Sequence, residues 1–148
     1  MNARPLAGCA LALSLVGCPP PPATSDAGTA FFPSDWETRY AEVRDCRRSP
    51  DHDLAYVRVF ASPEAAPTYI TRTGEFVEGA ILVKPEYADD LCTDFTGITT
   101  MRHTAGSWEF QETDTMGRVL PISTIRCGGC HASCGVPPDG YMGTCALP

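Results

Sequence analysis

Cys127-Gly128-Gly129-Cys130-His131 is a C-x-x-C-H run. Two thiols at this spacing can reach the two vinyl groups along one edge of a haem and form thioether bonds. The adjacent imidazole then supplies an axial nitrogen to the iron. Two glycines between the thiols allow a tight backbone. The same thiols could instead form a redox dithiol, hold zinc or join disulfides. No βαβ order accompanies them, as a thioredoxin fold would require, and no second C-x-x-C pair follows, as zinc sites of that kind would. The spacing therefore points to one covalent haem c, with Cys127 and Cys130 as attachment points and His131 as the metal ligand.

That chemistry belongs outside the cytoplasm, and the N-terminus carries an export signal. Met1 to Arg4 is a short n-region with one positive charge. Leu6 to Gly17 is apolar or small apart from Cys9 and Ser14, the length of a signal h-region and too short to span a bilayer. It ends in Leu15-Val16-Gly17-Cys18, which resembles a bacterial lipobox. There the signal is cut before the cysteine, whose sulfur receives lipid. Pro19 rather than Asp follows Cys18, which suggests outer-membrane sorting, facing the periplasm. Leu6-Ala7-Gly8-Cys9 has no room for an h-region before it, so Cys9 falls in the removed signal.

The whole chain has 148 residues, a formal net charge of −7 and a pI near 4.8. Removing residues 1–17 takes away Arg4 and leaves 10 basic against 18 acidic side chains, or −8. No basic patch or long Lys/Arg run is present, so nucleic acid is an unsuitable partner. The membrane is expected to be met through the lipid anchor only. Residues 18–30, with Pro19 to Pro22 in succession, read as an extended tether that cannot pack a core. Residues 31–148 suffice for one domain and are too few for two.

Eight cysteines is a high count and suits an oxidising compartment. Setting aside Cys9, Cys18, Cys127 and Cys130 leaves Cys46, Cys92, Cys134 and Cys145. That even number allows two disulfides in three connectivities. Cys134–Cys145 with Cys46–Cys92 is favoured, since the first would close a short Gly/Pro-rich loop beside the haem motif.

The elements that must position the motif read as an antiparallel sheet with a few short helices, an α+β class. Ser34-Asp35-Trp36-Glu37 has the form of a capping box, and Trp36, Tyr40 and Val43 recur at helical spacing. This predicts a helix over 34–45. Strands are expected at 55–60, 79–84, 95–102, 107–112 and 118–122, the last an edge strand because of Pro121. A short helix is expected from Ser62-Pro63-Glu64, ended by Pro67. Past Ile125 the Gly-, Pro- and Cys-rich chain reads as loop plus a short helix.

The order of features resembles the cytochrome P460 and cytochrome c′-beta family. Tyr69-Ile70-Thr71-Arg72-Thr73-Gly74-Glu75-Phe76 carries the resemblance, followed by Glu78-Gly79, the strand ending Val83-Lys84, and Trp108 with Phe110. C-x-x-C-H falls at the expected end, and the match covers roughly residues 34–131. The resemblance implies a mainly antiparallel β fold, a dimer, and a five-coordinate haem that binds small nitrogen ligands such as nitric oxide. Some members oxidise hydroxylamine. In P460 members a lysine is cross-linked to the haem, and Lys84, the only lysine in the chain, looks like the matching position. Arg58 resembles a family arginine near the haem. The family's pocket carboxylate maps onto Gly97-Ile98-Thr99-Thr100, which holds no acid. Glu109, the nearest alternative, should face away from Trp108 and Phe110 by strand alternation. The site is therefore expected to lack a base, because a hydroxyl cannot serve as one near neutral pH. His52, His103, Met101, Met116 and Met142 are candidates for a sixth ligand, against a resemblance that implies an open position.

The expectation is thus a periplasm-facing haem lipoprotein that binds a small diatomic or nitrogenous ligand or passes electrons to a redox partner. The alternative is a haem-free, disulfide-rich lipoprotein that binds another protein.

Overall fold

The structure, a computed structural model, describes residues 28–135 and 140–145. The signal segment and Cys18 lie outside them. Six antiparallel strands form one sheet in chain order: β1 (Ala41–Arg48), β2 (Tyr56–Ala61), β3 (Ile81–Tyr87), β4 (Phe95–Thr104), β5 (Ser107–Thr113) and β6 (Val119–Leu120). Three short helices accompany it: α1 (Trp36–Arg39), α2 (Ala66–Thr71) and α3 (Thr124–Ala132). The class is α+β.

Alternation divides the sheet into two faces. Register places Leu82 opposite Met101, Lys84 opposite Thr99, Met101 opposite Phe110 and Thr99 opposite Glu112. Val57 and Val59 share their face. A core of Val59, Ala61, Tyr69, Phe76, Leu82 and Met101 closes one end of it. The opposite face buries Trp36, Val83 and Ile98, with Phe32, Tyr40, Phe60 and Ile81 packed around them. The Trp36 ring meets Phe60 edge-on at 4.9 Å.

Three local expectations are corrected. The helix expected at 34–45 shrinks to α1, capped at Asp35 with no side-chain hydrogen bond. Tyr40 turns extended (φ −99°, ψ 146°), and residues 41–48 become edge strand β1. Pairing with β2 and the Cys46–Cys92 disulfide hold that stretch in the sheet, so tertiary context overrides a helical spacing. Pro67 starts a helix rather than ending one, because its fixed φ and missing N–H suit the first turn of α2. Strand β3 runs on past Lys84 through Pro85, which is buried in mid-sheet. Pro85 pairs with Ile98 of β4.

Cys134–Cys145 is the second disulfide, so both favoured pairings are present. Cys127 and Cys130 are both free thiols.

Candidate functional site

The C-x-x-C-H run lies on α3, which packs against β5. Ser123 starts the helix: its hydroxyl accepts from the Arg126 amide at 3.2 Å. Cysteines three residues apart lie on one helical face, and His131, four beyond Cys127, joins them. Two mid-helix glycines cost about 1 kcal/mol each relative to alanine, so propensity alone disfavours a helix here. Packing supplies what propensity does not, with the His131 ring 4.9 Å from the Phe110 ring.

Cys127 is half-buried and Cys130 exposed. Burial pushes the Cys127 thiol up. The His131 Nδ1 lies 2.6 Å from the Gly143 carbonyl oxygen. A carbonyl only accepts, so Nδ1 carries the proton and Nε2 keeps its lone pair. Burial lowers the His131 pKa, the Gly143 hydrogen bond offsets part of this, and the Lys84 charge lowers it further. The imidazole is therefore neutral near pH 7, with a hydrogen bond that fixes its tautomer, which is how metal-ligating histidines are held.

The segment that holds His131 is itself fixed. Trp108 Nε1 donates to the Met142 carbonyl at 2.7 Å, and Cys134–Cys145 closes the loop. Gly143 has φ +80°, and a Cβ there would lie 3.0 Å from the Trp108 ring. Only glycine suits both conditions.

All three motif side chains line one cavity of about 710 Å³. It is bounded by the Val57/Val59/Leu82/Met101 face, by Tyr69 and Phe110, and by residues 48–53, 121–123 and 126–127. This falls within the ~300–1,000 Å³ typical of small-molecule and cofactor sites. Arg44, Arg47 and Arg48 also line it.

Lys84 lines the same cavity, as strand alternation with Leu82 requires. Its Nζ is 2.8 Å from His52 Nε2; His52 Nδ1 is 2.9 Å from Glu86 Oε1, and Thr99 Oγ1 donates to the same oxygen at 3.0 Å. A carboxylate accepts, so His52 Nδ1 carries the proton and Nε2 accepts from Lys84. Burial pulls the Lys84 pKa down to about 8, against the raising effects of Glu86, Asp51 and Cys130.

Several sequence expectations are revised here. The cavity does hold acids: Glu86 and Glu112 both line it. Burial, then Glu86 and Asp53, raise the Glu112 pKa, while His52 lowers it. Glu86 was legible through alternation from Lys84, but the expected strand stopped at Lys84, and β3 runs on to Tyr87. Glu109 lies on the other face, paired with Arg102 at 2.6 Å. Arg58 is not at the cavity. Its neighbours Val57 and Val59 turn inward, and its guanidinium sits 3.7 Å from Glu42 on the opposite side. His103 is buried between Phe76 and Trp108, away from the cavity lining, and Met116 is exposed. Met142 packs at the core edge, and Met101 reaches the cavity wall. The cluster Arg44, Arg47 and Arg48 was missed because strand β1 was not expected: the expected helix took Arg44 and ended at 45.

No protein-family model and no curated protein matches the chain. Among the described residues no helix is long and apolar enough to cross a membrane, and no group of three or more His, Cys, Asp or Glu side chains is placed to hold a bare metal ion.

Proposed function

We propose that this protein is an exported c-type haem protein of cytochrome P460 type, anchored by lipid at Cys18 and binding a small nitrogenous or diatomic ligand such as nitric oxide. The observation that carries this reading is the placement of Cys127, Cys130 and a tautomer-fixed His131 on one helical face at the wall of a single large cavity. The residues fit the group. Both thiols are free, His131 offers Nε2, the Val57, Val59, Leu82, Met101 and Phe110 side chains supply apolar walls, and Arg44, Arg47 and Arg48 suit its two carboxylates. Bound there, the iron would supply a site for reversible ligand binding or one-electron transfer.

The chain's own residues do the rest. Gly143 orients the imidazole, Trp108 and the Cys134–Cys145 disulfide hold Gly143, and Val57, Val59, Leu82, Met101 and Phe110 give the cavity an apolar wall. A cross-link from Lys84 to the ring edge would shift the main absorption band strongly to the red; an ordinary haem spectrum would mean that the amine is free. Expression with c-haem maturation machinery tests the proposal through the absorption spectrum of the purified protein. A haem spectrum that binds nitric oxide reversibly is expected. A colourless, folded protein would leave the haem-free binding module in its place.

A further inference from the structure

The cavity holds a chain of polar groups that haem attachment does not need. Lys84 reaches in from β3, His52 from the 49–55 loop, Glu86 from two residues along β3, and Thr99 from β4. Each bond has one consistent direction: Thr99 donates to Glu86, His52 donates to Glu86, and Lys84 donates to His52. Lys84, His52 and Glu86 are all half-buried, and His52 and Glu86 each keep about a fifth of the side-chain surface exposed (19%). The chain thus links three cavity-lining groups, each with some contact with solvent.

We propose that Lys84 exchanges protons with a protic small ligand in the cavity, and that His52 and Glu86 are positioning residues that hold the amine and pass its proton to solvent. The inference rests on the haem reading for its ligand, with the Lys84 amine free of the ring, and on the Lys84–His52–Glu86 geometry for its mechanism. The class of ligand is a small weak acid, HX, that binds as its anion. The neutral amine takes the proton from HX and becomes ammonium. His52 Nε2 then accepts that proton from Nζ, and its Nδ1 proton, already shared with Glu86, leaves to water. Nothing is oxidised or reduced. A lysine suits this role because burial moves its proton affinity readily. It sits near pH 8 here, close to the working range of a general acid–base group. The charged groups that set this balance are Glu86, Asp51 and Cys130 around Lys84, with His52 and His131 on the cavity side and Glu112 beyond His52.

Two measurements test it. Lys84 is the only lysine, so ¹⁵N-lysine labelling gives a single side-chain amine signal. In the haem-free Cys127→Ala/Cys130→Ala protein, the His52 ring signals should report the Lys84 step, and Glu86→Gln should lower the Lys84 midpoint. Lys84→Met should remove the step from His52. A His52 ring that ignores the Lys84 midpoint would overturn the relay whether or not haem binds. In the haem-loaded protein, hydrogen cyanide is the probe. Its association should be about 100-fold faster in wild type than in Lys84→Met at pH 9, the lower range of general acid–base catalysis, with the gap closing by pH 6. His52→Gln should lie between. Equal pH profiles for wild type and Lys84→Met would overturn the proposal while leaving the haem reading intact; absence of haem would overturn that reading while the titration still decides the relay.

Discussion

Lys84 shows how one side chain sets both chemistry and cost. Its pKa falls from 10.5 to about 8 because burial disfavours the ammonium form. Folding therefore sheds affinity for this proton. Between pH 8 and 10.5 the unfolded chain holds the proton and the folded one does not, so stability rises with pH across that window. Below pH 8 both states are protonated and the full penalty remains, on the order of 3 kcal/mol from the shift. Lys84→Met should thus be more stable than wild type at pH 7 by up to that amount. The gap should shrink as pH climbs from 8 to 10.5. Urea unfolding at several pH values checks this; a constant gap would show that the amine is not desolvated. Gly143 makes a second residue-scale case. Its positive φ strains any other residue and a Cβ would press on the Trp108 ring at 3.0 Å, so Gly143→Ala should displace the carbonyl that fixes His131. The His131 ring signals should then report both tautomers, where wild type shows one.

At the scale of elements, α3 depends on what is tied to it. The Cys134–Cys145 bridge closes a loop of sequence separation 11, and such loops are stabilised by about 3 kcal/mol through the unfolded state. Replacing both cysteines by serine should lower unfolding stability by that amount and loosen His131 with it. Trp36→Ala should cost about 3–5 kcal/mol through the outer core and leave the cavity side chains in place. The sheet was largely legible because its strands alternate clearly: 55–60, 95–102 and 107–112 each match observed strands within a few residues. The α1/β1 region was not. Trp36, Tyr40 and Val43 have helical spacing, yet Val43 packs on the inner core and Tyr40 on the outer one, which a single helix face could not do. Missing β1 also hid Arg44, Arg47 and Arg48. At the site, the C-x-x-C-H run named Cys127, Cys130 and His131 and a family resemblance named Lys84, and the fold brings all four to one cavity. His52 and Glu86 were hidden, one by a loop that only the fold brings to β3, the other by an expected strand that stopped at Lys84. Arg58 failed because a resemblance supplied it and alternation was not applied: flanked by inward Val57 and Val59, it had to face out.

For the whole molecule, the reading joins a lipobox, a Pro-rich tether and a single sheet domain whose cavity faces the haem motif. The mature chain is expected to begin at Cys18 and to partition into detergent; a water-soluble product with an unmodified N-terminus would contradict the anchor. The central claim is that Cys127 and Cys130 carry haem. Its most direct test is denaturing electrophoresis of protein made with c-haem maturation machinery, stained for haem and paired with the intact mass. Haem should stay with the polypeptide band and add its mass to the chain, and Cys127→Ala/Cys130→Ala should remove both signals. A wild-type band that holds no haem, with the mass of the unmodified polypeptide, would contradict the account.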